Sequence, residues 1–181
     1  VKLALVGMPG CGKSTIGRHL GRRFDVPFVD SDAEIEKRLD CSIGFYFQRH
    51  GEAAFRDVEV QVIDELTRAS AFVLATGGGA VLREENRRAL ADRCTVVYLK
   101  ASPEDLWRRL KHDTKRPLLQ GGDGLGKLRD LHAERDPYYT SIADFCIETG
   151  PPSQQTMVNM IAMQVELAGL ASAPRTGKTT M

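Results

Sequence analysis

Residues 7–15 constrain this chain more than any other feature. A short apolar run, Val1-Lys2-Leu3-Ala4-Leu5-Val6, reads as a buried strand, and Gly7-Met8-Pro9-Gly10-Cys11-Gly12-Lys13-Ser14-Thr15 follows it directly. The spacing from Gly7 to Ser14 is G-x-x-x-x-G-K-[ST], in the strand-then-helix setting that gives the pattern its meaning. Gly7, Gly10 and Gly12 lack a β-carbon, so successive backbone N–H groups can turn inward around a polyphosphate. The helix that starts near Lys13 aims its positive end at the same anion. Lys13 can reach the β- and γ-phosphates, and the Ser14 hydroxyl can ligate Mg²⁺. Gly10, Cys11, Gly12, Lys13, Ser14 and Thr15 are therefore the expected nucleotide-binding residues. A glycine-rich turn with a solvated lysine is the plainer alternative, and the complete spacing speaks against it.

The chain of 181 residues suits one domain with a substantial core. Its 42% hydrophobic and 27% charged residues are ordinary for a soluble globular protein. A net charge of only +1 gives no electrostatic reason to expect nucleic acid or an anionic membrane as partner. Cys11, Cys41, Cys94 and Cys146 are far apart and form neither a C-x-x-C pair nor a metal-binding spacing. Reduced thiols in the cytoplasm fit that distribution. No apolar run approaches the ~18 residues of a membrane span, and no signal peptide is visible. The start at Val1 reads as trimmed or processed.

Helical and strand patterns alternate, which predicts a parallel sheet covered on both faces, an α/β fold of three layers (α/β/α). Five strands are expected, at 1–6, 27–29, 71–75, 96–99 and 145–147. Between them, 15–24 carries Ile16, Leu20 and Phe24 at helical spacing. Residues 33–68 read as mostly helical, broken near Cys41-Ser42 and again at Gly51. Ser102-Pro103-Glu104 has the cap-plus-proline signature of a helix start. Residues 111–126 are polar and glycine-rich and read as a mobile surface segment, 125–139 is helical again, 154–170 forms a closing amphipathic helix, and 171–181 reads as a disordered tail.

In an open parallel sheet, ligands collect outside the carboxyl ends of the strands. Asp30-Ser31-Asp32 and Gly77-Gly78-Gly79 would share that edge with the phosphate loop. The Asp30/Asp32 spacing places two carboxylates on one side of an extended segment. One can hold Mg²⁺ through water and the other can face an acceptor hydroxyl; a helix cap at Asp32 is an equally good local reading. Arg56 and Glu59 stand i, i+3, for which an exposed ion pair is the ordinary interpretation. Arg116 and Arg135 each lie just ahead of a structure-breaking proline (Pro117 and Pro137). Singly each arginine reads as surface charge; together they suggest anion handling.

With these motifs in hand the chain closely resembles the shikimate kinases, small P-loop kinases built like nucleoside monophosphate kinases. The likeness runs from Leu3 to about Thr149 and rests on G-M-P-G-C-G-K-S-T, D-S-D, F-R-x-x-E, T-G-G-G-A-V, R-P-L-L and E-R-D-P-Y-Y in that order. The resemblance implies transfer of the ATP γ-phosphoryl group to the 3-hydroxyl of shikimate, with Mg²⁺ as cofactor. It implies Ser14 on the metal, Asp30 in its water shell, Asp32 as base, and Arg56 and Arg135 on the shikimate carboxylate. Gly77 would line the substrate, Gly78 and Gly79 would offer it backbone N–H groups, Arg116 would close on the phosphates, and Lys13, Asp32 and Arg116 form the expected catalytic set. Arg109 would stack on adenine, with a solvated helix face at Arg108-Arg109 as the alternative, and Phe47 would line the acceptor pocket. The expected organisation is one kinase domain over 1–170, with a substrate-binding insertion at 33–61, a lid at 111–126 and a tail at 171–181, acting as a monomer in the cytoplasm. Gly44-Phe45-Tyr46 departs from the family pattern, which has small or acidic residues there. Gluconate kinases, and a nucleotide-binding regulatory module without turnover, are the competing readings.

Overall fold

The computed structural model describes residues 1–111, 122–150 and 154–169. Five parallel strands form one sheet in the order β2-β3-β1-β4-β5: β1 (Lys2–Val6), β2 (Phe28–Asp30), β3 (Phe72–Ala75), β4 (Thr95–Lys100) and β5 (Phe145–Glu148). The three central strands read as unbroken apolar runs because both of their faces are covered, and residues 3–6, 72–75 and 96–99 are all buried. At the β5 edge, burial alternates instead, with Ile147 inside and Cys146 and Glu148 outside.

From β1 the chain crosses by α1 (Lys13–Phe24) toward the β2 edge; every later crossover runs the other way. Right-handed crossovers therefore set α1 on one face and α3 (Ile43–Leu66), α4 (Glu84–Arg93) and α6 (Gly124–Ile142) on the other. The contacts agree: α1 packs on α7 (Gln154–Leu167), while α3 meets α4, α4 meets α6, and α6 meets α5 (Pro103–Leu110). The direction of travel reverses around β1, which opens a crevice at the carboxyl ends of β1, β3 and β4.

After β2 comes α2 (Ser31–Leu39), then α3, which starts at the Ser42 cap and bends at Gly51 (φ 85°), as the two expected breaks require. This α2–α3 excursion carries its own small core of Ile35, Phe55 and Val62, flanked by Tyr46 and Phe47. The unusual Phe45 lies on its outer side, 55% exposed, so the departure at Gly44-Phe45-Tyr46 leaves that core intact.

Several expectations are corrected. The cap of α2 is Asp30, not Asp32, so the two aspartates flank a helix start rather than an extended segment. Pro137 lies inside α6 and does not break it; the helix is anchored on both sides of the proline by buried Arg135 and Tyr139. The helix begins at Gly124, within the stretch expected to be lid; the rest of that stretch from 112 to 121, and the tail from 170, lie outside the described residues. The helix α4 had no counterpart in the pattern because only Asn86 and Leu90 of its ten residues are buried. Among the described residues, no helix is long and apolar enough to cross a membrane.

Asp64, at the end of α3, accepts from Arg93 of α4 at 2.8 Å and from Arg68 at 3.1 Å. Arg93, and then Arg68, hold its carboxyl below the usual aspartate value. A depressed carboxylate stabilises above its ordinary range and loses that contribution as pH falls through the lowered value. Asp64→Asn should therefore melt below the parent protein at pH 7, with the gap closing below pH 3.8. Thermal melts across that range check this; a gap independent of pH would remove the charge from the explanation.

Candidate active site

The phosphate loop leaves β1 on residues that side chains would obstruct. Gly7 has φ 152°, and a β-carbon there would lie 2.6 Å from the Leu99 carbonyl oxygen of β4. Gly12, in the left-handed region, caps α1. Lys13 is buried, and its Nζ donates to the carbonyls of Gly7 at 2.7 Å and Met8 at 2.9 Å, which holds the ammonium over the loop. The Cys11 side chain is fully buried, with Sγ 3.7 Å from Lys13 Nζ, so this residue offers the cleft only its backbone.

Asp30 joins the loop to the second strand. Its Oδ1 accepts from the N–H groups of Asp32 and Ala33, capping α2, while Oδ2 accepts from Ser14 Oγ at 2.6 Å. One hydroxyl and one carboxylate oxygen are hard donors that suit Mg²⁺. Among the described residues, no group of three or more His, Cys, Asp or Glu could form a complete protein cage. An ion held by Ser14, waters and phosphate oxygens is the arrangement these donors fit.

The glycine loop after β3 is tied down from both sides. Asp30 stands opposite Ala75 in the β2–β3 register, Gly77 N–H donates to the buried Ser31 hydroxyl at 3.0 Å, and Thr76 Oγ1 donates to the Leu5 carbonyl at 2.9 Å. Ser31 and Thr76 had no assigned role in the sequence reading, although both stand inside its motifs. A β-carbon at Gly77 would lie 2.6 Å from Asp32 Oδ1 and 3.0 Å from Glu59 Oε2, and one at Gly79 would collide with the Arg56 guanidinium. Only glycine allows these polar groups to close in.

Arg56 and Arg135 are 8% and 5% exposed, and Glu59 is fully buried, which overturns the ordinary surface readings of all three. Arg56 Nη1 donates to Glu59 Oε1 at 2.8 Å. Glu59 Oε2 and Arg135 Nε have no hydrogen-bond partner among the described residues. Burial pushes the Glu59 carboxyl up; Arg56 opposes that shift, Asp32 adds to it, and Arg135 again opposes it. Two buried guanidinium groups thus share the neighbourhood of one buried carboxyl, and Arg135 Nε has no partner among the described residues, so donors are left over for an anion. Nothing in the i, i+3 spacing of Arg56 and Glu59 signals the full burial of Glu59.

A cleft of about 240 Å³ is lined by Gly10, Gly12, Lys13, Ser14 and Thr15 from the phosphate loop and by Asp30, Asp32, Thr76 and Gly78 from the second half. Arg109, exposed on α5, donates to the Gly10 carbonyl at 3.1 Å, at the loop's rim. Phe47 lies against Phe55 at 5.5 Å between ring centroids, on the helix that carries Arg56. Arg116 lies outside the described residues.

Comparison with known proteins agrees with this construction. The family model for shikimate kinase matches residues 9–166. A shikimate kinase of Ralstonia nicotianae is 51% identical over 97% of this chain and 92% of its own length. One from Cupriavidus pinatubonensis is 54% identical over 92% of this chain and 87% of its own. Among solved structures, shikimate kinase from Acinetobacter baumannii in complex with shikimate superposes with a TM-score of 0.88 at 42% identity, covering 92% of this chain and 93% of that one. A phosphate loop opening onto a pocket of buried arginines, and relatives alike over nearly their whole length, lead to one conclusion: the chain belongs to the shikimate kinase family.

Proposed function

We propose that the protein transfers the γ-phosphoryl group of ATP to the 3-hydroxyl of shikimate, giving shikimate 3-phosphate and ADP on the route to chorismate and the aromatic amino acids. The observation that carries this reading is the buried Arg56–Glu59 pair with Arg135, close behind a cleft that Lys13, Ser14, Asp32 and Gly78 line together. A guanidinium binds a carboxylate in a fixed fork, so two of them hold an anionic acceptor far from its reacting hydroxyl. Binding energy gathered at that handle is converted into alignment.

Phosphoryl transfer passes through a loose transition state, so alignment and charge stabilisation do most of the catalysis. Asp32 orients the 3-hydroxyl and takes its proton as the new O–P bond forms. The bond from the γ-phosphorus to the β-phosphate oxygen breaks, and ADP leaves with the electron pair. Lys13 and the loop N–H groups hold the polyphosphate while charge redistributes over its oxygens. Ser14 would hold Mg²⁺ directly and Asp30 through water, and the ion would supply neutralisation of phosphate charge. Gly77, Gly78 and Gly79 wall the acceptor, Phe47 backs its pocket, and Arg109 stacks on the base. Arg116, outside the described residues, would close on the phosphates from the stretch ahead of α6 and so limit wasteful ATP hydrolysis. In this reading 1–170 is one kinase domain with its acceptor insertion at 33–61, working in the cytoplasm as a monomer, with no nucleic-acid or membrane partner.

The test is ADP release by purified protein with ATP and Mg²⁺ against shikimate, quinate, gluconate and nucleoside monophosphates. Shikimate should be the one efficient acceptor. Preference for gluconate would move the chain to another sugar-acid kinase activity, and ATP binding without turnover would make it a regulatory module.

A further inference from the structure

Gly78 is where the two halves of the cleft touch. A β-carbon here would lie 2.8 Å from Pro9 Cδ of the phosphate loop. The Gly78 carbonyl accepts from the Tyr139 hydroxyl at 2.5 Å, and Tyr139 stands one helical turn beyond Arg135 on α6. One residue further along the loop, Gly79 abuts the Arg56 guanidinium. The N–H groups of Gly78 and Gly79 donate to no partner among the described residues.

In a trans peptide, the carbonyl of one residue and the N–H of the next point in opposite directions. Whatever holds the Gly78 carbonyl therefore also aims the Gly79 N–H. A hold is needed because neither flanking residue has a β-carbon, and a Gly-Gly peptide plane turns over with little steric resistance. Tyr139 is well suited to supply it. The residue is fully buried, and its ring lies 4.9 Å from that of Tyr98, whose own hydroxyl donates to Asp136 Oδ1 at 2.7 Å. Burial also pushes the Tyr139 phenol well above its usual range, which keeps it a donor.

We propose that Tyr139 is a positioning residue whose hydroxyl locks the Gly78-Gly79 peptide, so that the Gly79 N–H is presented beside Arg56 to the carboxylate of the acceptor. This rests on the acceptor assignment above. Tyr139 acts through its partners: it connects the helix carrying Arg135 to the glycine loop, and through the Gly78–Pro9 approach to the phosphate loop.

The test compares the full chain with Tyr139→Phe and Tyr98→Phe, titrating shikimate and ATP separately by calorimetry and following the Gly79 amide by NMR. Tyr139→Phe should weaken shikimate about tenfold or more, the scale of one misdirected hydrogen bond to a charged group, while ATP changes less than about twofold. Tyr98→Phe removes a phenol from the same stacked pair without touching Gly78, and should leave shikimate within about twofold. In the parent protein, shikimate should move the Gly79 N–H resonance downfield, and that shift should shrink in Tyr139→Phe. Equal losses for both ligands, an equal loss in Tyr98→Phe, or a Gly79 resonance indifferent to shikimate would each overturn the proposal. Absence of shikimate phosphorylation by the parent protein would instead sink the acceptor assignment, a failure visible without any variant.

Discussion

Lys13→Ala is expected to lower kcat by about 10³-fold or more, roughly 4 kcal/mol of transition-state stabilisation. The ammonium is held at the loop by two carbonyls, Gly7 at 2.7 Å and Met8 at 2.9 Å, and is only 8% exposed. A charge placed there faces the oxygens over which negative charge is redistributed as the γ-phosphoryl moves. Alanine removes that charge and puts nothing in its place. The same change deprives two carbonyls of a donor, which costs about 1–3 kcal/mol of stability if water does not reach them. A domain of this size then loses several degrees of Tm and stays folded, since ~1 kcal/mol is worth about 2–4 °C. Steady-state kinetics, with circular dichroism as the check on folding, decide the matter. A folded variant whose kcat lies within tenfold of the parent would take Lys13 out of the reaction.

The sequence was most informative where backbone geometry alone dictates the residue. The glycines and the lysine of the phosphate loop are needed at fixed intervals whatever surrounds them, and the apolar strands read true because burial on both faces leaves no polar positions. Legibility failed where distant packing decides. The motif D-S-D offers two carboxylates as cap, and the choice of Asp30 follows from its register opposite Ala75 and its bond to Ser14. Arg56 and Glu59 look like any exposed i, i+3 pair. Their burial depends on the bend at Gly51, on the small core around Phe55, and on the glycine loop that follows β3. Pro137 advertises a break, yet α6 runs through it because buried neighbours on both sides hold the helix. Ser31, Thr76 and Tyr139 carry the hydrogen bonds that fix the glycine loop, and each partner lies far off in sequence.

Asp32→Asn should lower kcat by about 10²- to 10⁴-fold, the range for losing a positioned base, while the KM for shikimate rises less than about tenfold. Asparagine keeps the size of the side chain and one acceptor oxygen, so it can still hold a hydroxyl, but it cannot take the proton. Glu59 is the other carboxyl beside Gly77, and it is poorly placed to substitute: it is fully buried and Arg56 occupies its Oε1 at 2.8 Å. The two carboxyls should therefore fail in different ways. In Glu59→Gln the fork of Arg56 loses its carboxyl partner, and the loss should fall mainly on shikimate KM. Opposite kcat and KM signatures in these two isosteric variants would separate proton transfer from acceptor grip. A loss of kcat below tenfold in Asp32→Asn would leave Asp32 an orienting group, with the hydroxyl proton carried off by the phosphoryl oxygens themselves.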